Sequence, residues 1–277
     1  MNYRHAYHAG NFGDCLKQAL LMWLVERLQR KERPIAVFDT HAGAGAYDFG
    51  STEGMRIGEW KEGIGRLLSD PPVALAAYVA LVQEIMQDAE GAFPGTPLLV
   101  RRLLRPGDRL VCCELHPEEY ASLKRRFAGD RQVAVHHRDG WEALKAILPL
   151  EPRRGLVLID PPYEEPGEFA RLAAGLGAAQ QRFPTGVLAA WYPIKHRAPV
   201  RDFHEALAAG RLKDVVTAEL YLREPTDPAR LNGAGLLVAR PPYEFAPAAR
   251  AILDALSERL GQGEPGGGAA LLRITGG

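Results

Sequence analysis

Cysteine is scarce in this chain: three residues in 277, Cys15 and the adjacent pair Cys112-Cys113. Neither a disulfide framework nor the spacing of a zinc site can be built from them, which points to a reducing compartment, the cytoplasm. Long hydrophobic runs are missing as well. No stretch approaches the roughly 20 apolar residues of a membrane helix, and the polar start Met1-Asn2-Tyr3-Arg4-His5 has no apolar signal core. Charge of one sign is lacking too: 34 basic residues balance 34 acidic ones. Contact with a nucleic acid must therefore come from local patches rather than a global field. What is present, 47% hydrophobic and 25% charged residues, fits a folded monomer with one large core and argues against wholesale disorder.

Periodicity organises the chain. Asp14 to Arg30 reads as a helix, with Asp14 as its cap and Leu16, Leu20, Leu21, Leu24, Val25 and Leu28 on one side. Buried-strand patterns follow at Ile35–Asp39, Arg109–Glu114, Gln132–His136, Gly155–Asp160, Gly186–Trp191, Asp214–Leu222 and Gly233–Ala239. Helical patterns such as Pro117–Phe127, Gly140–Leu148 and Glu168–Phe183 separate most of them. Alternation of this kind predicts an α/β fold with a seven-stranded, mostly parallel sheet covered on both faces. Residues 1–46 supply the amino-terminal helix and first strand. Residues 47–105 are too many for one crossover and include an amphipathic pattern at Leu75–Met86, so they read as a small helical insertion subdomain at the carboxyl edge of the sheet. Residues 106–260 complete the main domain, and 261–277 read as a flexible glycine-rich tail.

One strand end carries the chemistry. Asp160-Pro161-Pro162-Tyr163 follows Gly155–Ile159 directly. A carboxylate and the carbonyls beside prolines only accept hydrogen bonds, because proline has no N–H, while Tyr163 offers a flat face for stacking. That set suits a planar ring with an exocyclic amine, such as the N6 group of adenine. The same residues also make an ordinary turn. A second copy, Arg240-Pro241-Pro242-Tyr243, begins with a side chain that cannot accept, and reads as structural punctuation.

Other strand ends form a series. Asp39-Thr40-His41-Ala42-Gly43-Ala44-Gly45 is a glycine turn that lets backbone approach a ligand. Tyr47 and Asp48 stand where a dinucleotide's pyrophosphate would need a bare helix terminus, and no Gly-Lys-Ser or Gly-Lys-Thr marks a phosphate loop. Asp39 favours a cationic ligand, and Glu114, at the second strand's tip, suits a ribose diol. Asp139-Gly140, after the third, is placed for an adenine amine or simply caps a helix.

Together with Phe93-Pro94-Gly95-Thr96-Pro97, Glu114-Leu115-His116-Pro117 and Trp191-Tyr192-Pro193, the block Tyr3-Arg4-His5-Ala6-Tyr7-His8-Ala9-Gly10-Asn11 with Asp14 and Lys17 resembles the bacterial 23S rRNA (adenine-N6)-methyltransferase J family over nearly the whole chain. The resemblance implies a Rossmann-like class I S-adenosylmethionine-dependent methyltransferase. It would modify one adenine of 23S rRNA, at the family position 2030, and release S-adenosylhomocysteine. By position, Lys17, Gln18, His41, Thr96, Glu114, Asp139 and Gly140 would meet the cofactor, along with Asp39, Gly43 and Gly45 of the glycine turn. Asp160, with Pro161 and Tyr163, would be catalytic and Asp160 would also adjoin the cofactor. Tyr3 and Tyr163 would meet the RNA. Gln18 stands where the family can show histidine and cannot be charged; Thr96 replaces a serine and keeps the hydroxyl.

No metal is expected, since His5, His8 and Asp14 lack ligand spacing. Candidate RNA patches are Arg101-Arg102 with Arg105, Lys124-Arg125-Arg126, and Arg153-Arg154, each equally readable as a solvated face. Three rivals share parts of this pattern: a DNA adenine-N6 methyltransferase, a protein-glutamine methyltransferase, and a non-catalytic RNA-binding scaffold.

Overall fold

A computed structural model describes residues 8–48, 58–89 and 91–276. In chain order the elements are α1 (Phe12–Gln29), β1 (Ala36–Asp39), β2 (Ala46–Tyr47), α2 (Glu59–Glu62), α3 (Ile64–Leu68), a 3-10 turn (Val73–Leu75), α4 (Ala76–Asp88), β3 (Phe93–Pro94) and α5 (Thr96–Leu103). Then follow β4 (Arg109–Glu114), α6 (Pro117–Arg126), β5 (Val133–His137), α7 (Gly140–Ile147), β6 (Gly155–Ile159), α8 (Glu168–Arg182), β7 (Val187–Ile194) and α9 (Arg197–Ala209). The chain closes with β8 (Val215–Tyr221), β9 (Gly233–Ala239), α10 (Phe245–Leu260) and β10 (Gly268–Thr275).

The main sheet has eight strands in the order β10-β8-β9-β7-β6-β1-β4-β5. Five of them, β5 to β7 in that order, pair in parallel, and β9, β8 and β10 add antiparallel pairs. The seven expected strands are all there; the eighth corrects the reading of the tail. Residues 268–275 pair with β8, Gly268 opposite Tyr221 and Leu272 opposite Thr217, so part of the segment read as flexible is the sheet's edge. The glycines from 261 to 268 masked the short apolar alternation behind them.

Both faces are covered, as near-continuous apolar strands require. The all-buried pattern of β6, Gly-Leu-Val-Leu-Ile, feeds alternate side chains to each layer. One layer gathers α1, α10 and the inserted helices; the other gathers α7, α8 and α9. Ile64, Leu67, Leu75, Val79 and Val82 of the inserted stretch join the same hydrophobic cluster as Leu16, Leu20 and Leu253. Close backbone approach secures this docking: a Cβ on Gly63 would stand 2.1 Å from the Gly10 carbonyl oxygen.

Helix α1 starts two residues earlier than expected. Asn11, not Asp14, caps it, its side-chain oxygen accepting the Gly13 and Asp14 N–H groups at 2.9 and 3.1 Å. This frees Asp14 to face the site. Strand order reverses at β1: the next strand of the main sheet, β4, lies on one side and β6 on the other, all three parallel. Ligands in open α/β sheets bind at such a switch point, outside the carboxyl ends of the strands.

Candidate functional site

A cavity of about 580 Å³ opens at that switch point. Its wall includes Lys17, Gln18, His41, Gly43, Thr96, Glu114, Asp139, Gly140, Asp160, Pro161 and Tyr163. Lys17 and Asp160, 143 positions apart in sequence, therefore meet in one crevice. Asp39 and Gly45 stand behind this wall, and Tyr3 lies outside the described residues.

The strand tips hold the acids in place by backbone bonds. Glu114 accepts the Gly43 N–H on one oxygen at 2.8 Å and the His116 N–H on the other at 2.7 Å. Each carboxylate oxygen keeps a lone pair for a hydroxyl. Asp139 serves as helix cap and site residue at once: Oδ1 accepts from Trp141 and Glu142, while Oδ2 lies 3.7 Å from Arg171 Nη2. Gly140 has no room for a side chain, since a Cβ would fall 2.3 Å from the Thr40 carbonyl oxygen.

Sequence spacing gave no reason for Phe93-Pro94-Gly95-Thr96 to adjoin the glycine turn. A two-stranded ribbon explains it. Ala46 pairs with Pro94 and Tyr47 with Phe93, and the Gly95 N–H donates to the Gly45 carbonyl at 2.9 Å. Gly45, at φ 84°, serves this clamp rather than the cavity. Gln18 supports the same ribbon: its Nε2 donates to the Pro94 carbonyl at 2.8 Å, and its Oε1 accepts from the Tyr78 hydroxyl at 3.0 Å. Its amide is thus engaged on both sides by protein.

At the Asp160 end of the cavity, Lys17 bridges two acids. Its ammonium lies 2.7 Å from Asp160 Oδ2 and 2.8 Å from Asp14 Oδ1, and Asp14 Oδ2 also accepts the Gly10 N–H. Burial pulls the Lys17 pKa down, yet the two carboxylates together raise it above its ordinary value. Among the described residues no partner falls on Asp160 Oδ1, which is left to accept from a ligand. Tyr163 adopts φ 54°, an uncommon left-handed torsion for a bulky residue. It is locked there by its hydroxyl donating to the Trp191 carbonyl at 2.7 Å and by its N–H on Glu168. Backbone strain of this kind is found where a site needs it.

Burial, reinforced by the charge of Asp160, pushes Asp39 up to about 7, and its Oδ2 has no hydrogen-bond partner among the described residues. Burial likewise lowers His41 to about 4, so the ring is neutral. The Thr40 hydroxyl donates to the Leu158 carbonyl, so its oxygen, 2.7 Å from His41 Nδ1, accepts a hydrogen bond from Nδ1–H. His41 Nε2 is then a bare acceptor.

Trp141, Arg171, Trp191 and Glu59 line the cavity, and the sequence gave none of them a role there. Trp141, signalled only by its place after Asp139-Gly140, packs edge-on to His41 and under the Arg171 guanidinium, 5.0 Å from the ring centre. Trp191 forms the wall beside Tyr163. Glu59, from the inserted stretch, accepts from Asn11 Nδ2 and lies 3.0 Å from His8 Nδ1, so His8 closes a clasp at the cavity mouth. Two of the candidate RNA patches are largely occupied: Arg101 meets Asp130, Arg102 meets Glu84 and Asp88, and Arg105 and Arg154 cover carbonyls at the end of α1.

The family model described as ribosomal RNA large subunit methyltransferase D, RlmJ, matches residues 32–273. Ribosomal RNA large subunit methyltransferase J of Escherichia coli (strain K12) is 36% identical over 263 residues, covering 94% of each chain. The Haemophilus influenzae protein of the same name is 36% identical over 264 residues, again covering 94% of each. A solved Legionella pneumophila protein, LPL1258, superimposes with a TM-score of 0.85 at 32% identity, over 97% of this chain and 98% of that one. With a cavity at the sheet's switch point and relatives matched from end to end, the chain belongs to the ribosomal RNA large subunit methyltransferase J family.

Proposed function

We propose that this chain methylates the N6 amine of one adenine in 23S rRNA, at the family's position 2030, using S-adenosylmethionine in the cytoplasm. The observation that carries this reading is the acceptor-only tip Asp160-Pro161 sharing one cavity with Glu114, Asp139 and the Gly43 turn. These residues fit the cofactor. Glu114 has lone pairs for a ribose diol, and Gly43 and Gly140 bring bare backbone to the wall, where a Cβ would collide with Tyr47 and with the Thr40 carbonyl. When bound, S-adenosylmethionine supplies an electrophilic methyl carbon and leaves as S-adenosylhomocysteine.

The chain's own contribution is orientation and electrostatics. An aromatic amine is a poor nucleophile because its lone pair is delocalised into the ring. Asp160 Oδ1 and a carbonyl beside proline would hold the amine's two protons and turn the lone pair toward the methyl carbon. Lys17 occupies Oδ2 and fixes the carboxylate's rotation. The same acceptors would stabilise positive charge as it develops on nitrogen, and as the methyl–sulfur bond breaks one of the two held protons would be released to solvent. The adenine has to leave its stack to enter the crevice, where Tyr163 is placed to replace the lost contact.

The test is mass spectrometry of unmodified 23S rRNA fragments after incubation with the protein and cofactor, with DNA duplexes as the competing substrate. N6-methyladenosine should form in RNA. Asp160→Asn should abolish turnover while calorimetry still detects cofactor binding; full activity in that variant would overturn the assignment.

A further inference from the structure

The second Pro-Pro-Tyr copy is not explained by the crevice. It follows β9, and β9 runs antiparallel to β7, with Ala239 opposite Leu188. Arg240-Pro241-Pro242-Tyr243 therefore emerges at the amino end of the parallel strands, the pole opposite the crevice. Tyr243 is 81% exposed there. It is held rather than loose: Arg27 Nε donates to its carbonyl at 3.0 Å, the Phe245 N–H donates to the Pro242 carbonyl, and the Arg240 N–H donates to the Asp214 carbonyl at 2.7 Å. Arg240 and Glu244 adopt φ 55° and 71°, so the loop is fixed in a strained shape that presents the ring to solvent. A cleft of about 200 Å³ opens beside the ring, lined by Pro241, Pro242, Asp214 and Arg273.

Cations surround this ring. The Arg27 guanidinium lies 5.9 Å from its centre. Arg27 and Arg30 share a single carboxylate, Glu244. Beyond Arg30 the chain continues through exposed Lys31, Glu32 and Arg33, two cations to one acid. Arg105, which is paired with the buried Asp108, and Arg154, which meets no carboxylate among the described residues, converge on the Arg33 carbonyl at 3.4 and 3.1 Å. Exposed Arg240 meets no carboxylate among the described residues, and Arg273 is paired only with Asp214. In a chain without net charge this pole is basic, while the crevice rim, with Glu59, Glu119, Glu164, Glu165 and Glu168, is acidic.

We propose that this pole is a second RNA surface, on which Tyr243 stacks an unpaired base and the neighbouring arginines hold the phosphates on either side. An exposed aromatic among cations is the combination that grips single strands without reading sequence. Strands of four to eight residues separate the two poles, about 13–26 Å at the usual rise. The surface would therefore grip a segment of the substrate other than the target nucleotide. In assigning the RNA to the substrate, the proposal rests on the rRNA reading above; binding itself needs only a single strand.

The experiment is a fluorescence-anisotropy titration of labelled oligouridylate, which has no adenine to offer the crevice, over a series of salt concentrations. Tyr243→Ala should weaken binding by about fivefold or more, and Tyr243→Phe should keep it. Arg240→Asn, a change that left-handed backbone tolerates, should lower the slope of log affinity against log salt by about 0.7. Unchanged melting temperatures establish that these exposed positions still fold. Methylation at saturating rRNA should keep its kcat, with a raised KM for long fragments. Affinity and salt slope equal to wild type in Tyr243→Ala and Arg240→Asn would overturn the proposal. Wild-type protein that binds oligouridylate in this manner but methylates no RNA would instead sink the rRNA reading.

Discussion

Replacing Lys17 by methionine tests how the site is built. Lys17 is 5% exposed, and its ammonium sits 2.7 Å from Asp160 and 2.8 Å from Asp14. At an effective dielectric of 20, each contact contributes a gross attraction of about 6 kcal/mol. Taking a charged ammonium out of water offsets several kcal/mol of that sum. Methionine fills a similar volume but leaves two carboxylates facing each other with nothing between them. The net loss should resemble that of breaking a buried pair, about 3–5 kcal/mol. At about 2–4 °C per kcal/mol for a chain of this size, the melting temperature should fall by roughly 6–20 °C. Scanning calorimetry measures this. The double variant Lys17→Met/Asp14→Asn removes one of the stranded carboxylates and should regain part of the loss, yet it should not regain methyl transfer, because Asp160 still lacks the group that fixes Oδ2. A single variant melting within about 2 °C of wild type, less than the shift for one kcal/mol, would refute the reasoning, as would a double variant with restored turnover.

Two further predictions concern the cofactor end. Gly140→Ala forces a methyl group to within 2.3 Å of a backbone oxygen, so the turn must move; cofactor affinity measured by calorimetry should drop about tenfold, the equivalent of the 1–3 kcal/mol of overpacking, and wild-type affinity would refute the fit. Asp39, raised to about 7 by burial and by Asp160, binds its proton more tightly in the native chain than in the unfolded one. Its contribution to stability is therefore complete below the ordinary carboxylate pKa near 4 and is lost as pH rises through 7, by at most about 4 kcal/mol. Asp39→Asn should flatten the melting temperature between about pH 5 and pH 8, and parallel curves for variant and wild type would show that Asp39 is not the group responsible.

The strands were legible because burial on both faces writes itself as unbroken apolar runs; Gly233–Ala239 coincides with its pattern, and Gly155–Ile159 stops one residue short of the expected Asp160. Acids at strand tips were legible for the same reason, since a polar residue that ends such a run lies at the sheet's edge. Contacts made by the inserted stretch were not. Nothing in Phe93-Pro94 says that it will pair with Ala46-Tyr47, and a two-residue ribbon has no period to detect. Glu59 and His8 met only because Gly63 lets one backbone rest on another. The first helix shows a finer failure: Asp14 looked like its cap, but Asn11 stands three residues earlier with the same capping chemistry, and the later acid was reserved for Lys17.

The two Pro-Pro-Tyr segments show why a motif alone does not fix a role. Both follow a buried strand, and in isolation both would carry an aromatic to a sheet edge. Strand direction separates them. β6 runs with its parallel neighbours, so Asp160 and Tyr163 arrive at the pole where Glu114 and Asp139 gather, and Tyr163 is drawn into the wall by Trp191 and Phe169. β9 runs against β7, so Arg240 and Tyr243 arrive at the other pole, among the cations that end α1. Direction is a property of the connections before a strand, not of its own residues, and here it depends on β8 and β9 forming a hairpin after α9. The leading residue then agrees with the proposed destination: an acceptor where an amine would be held, and a cation where phosphates would lie.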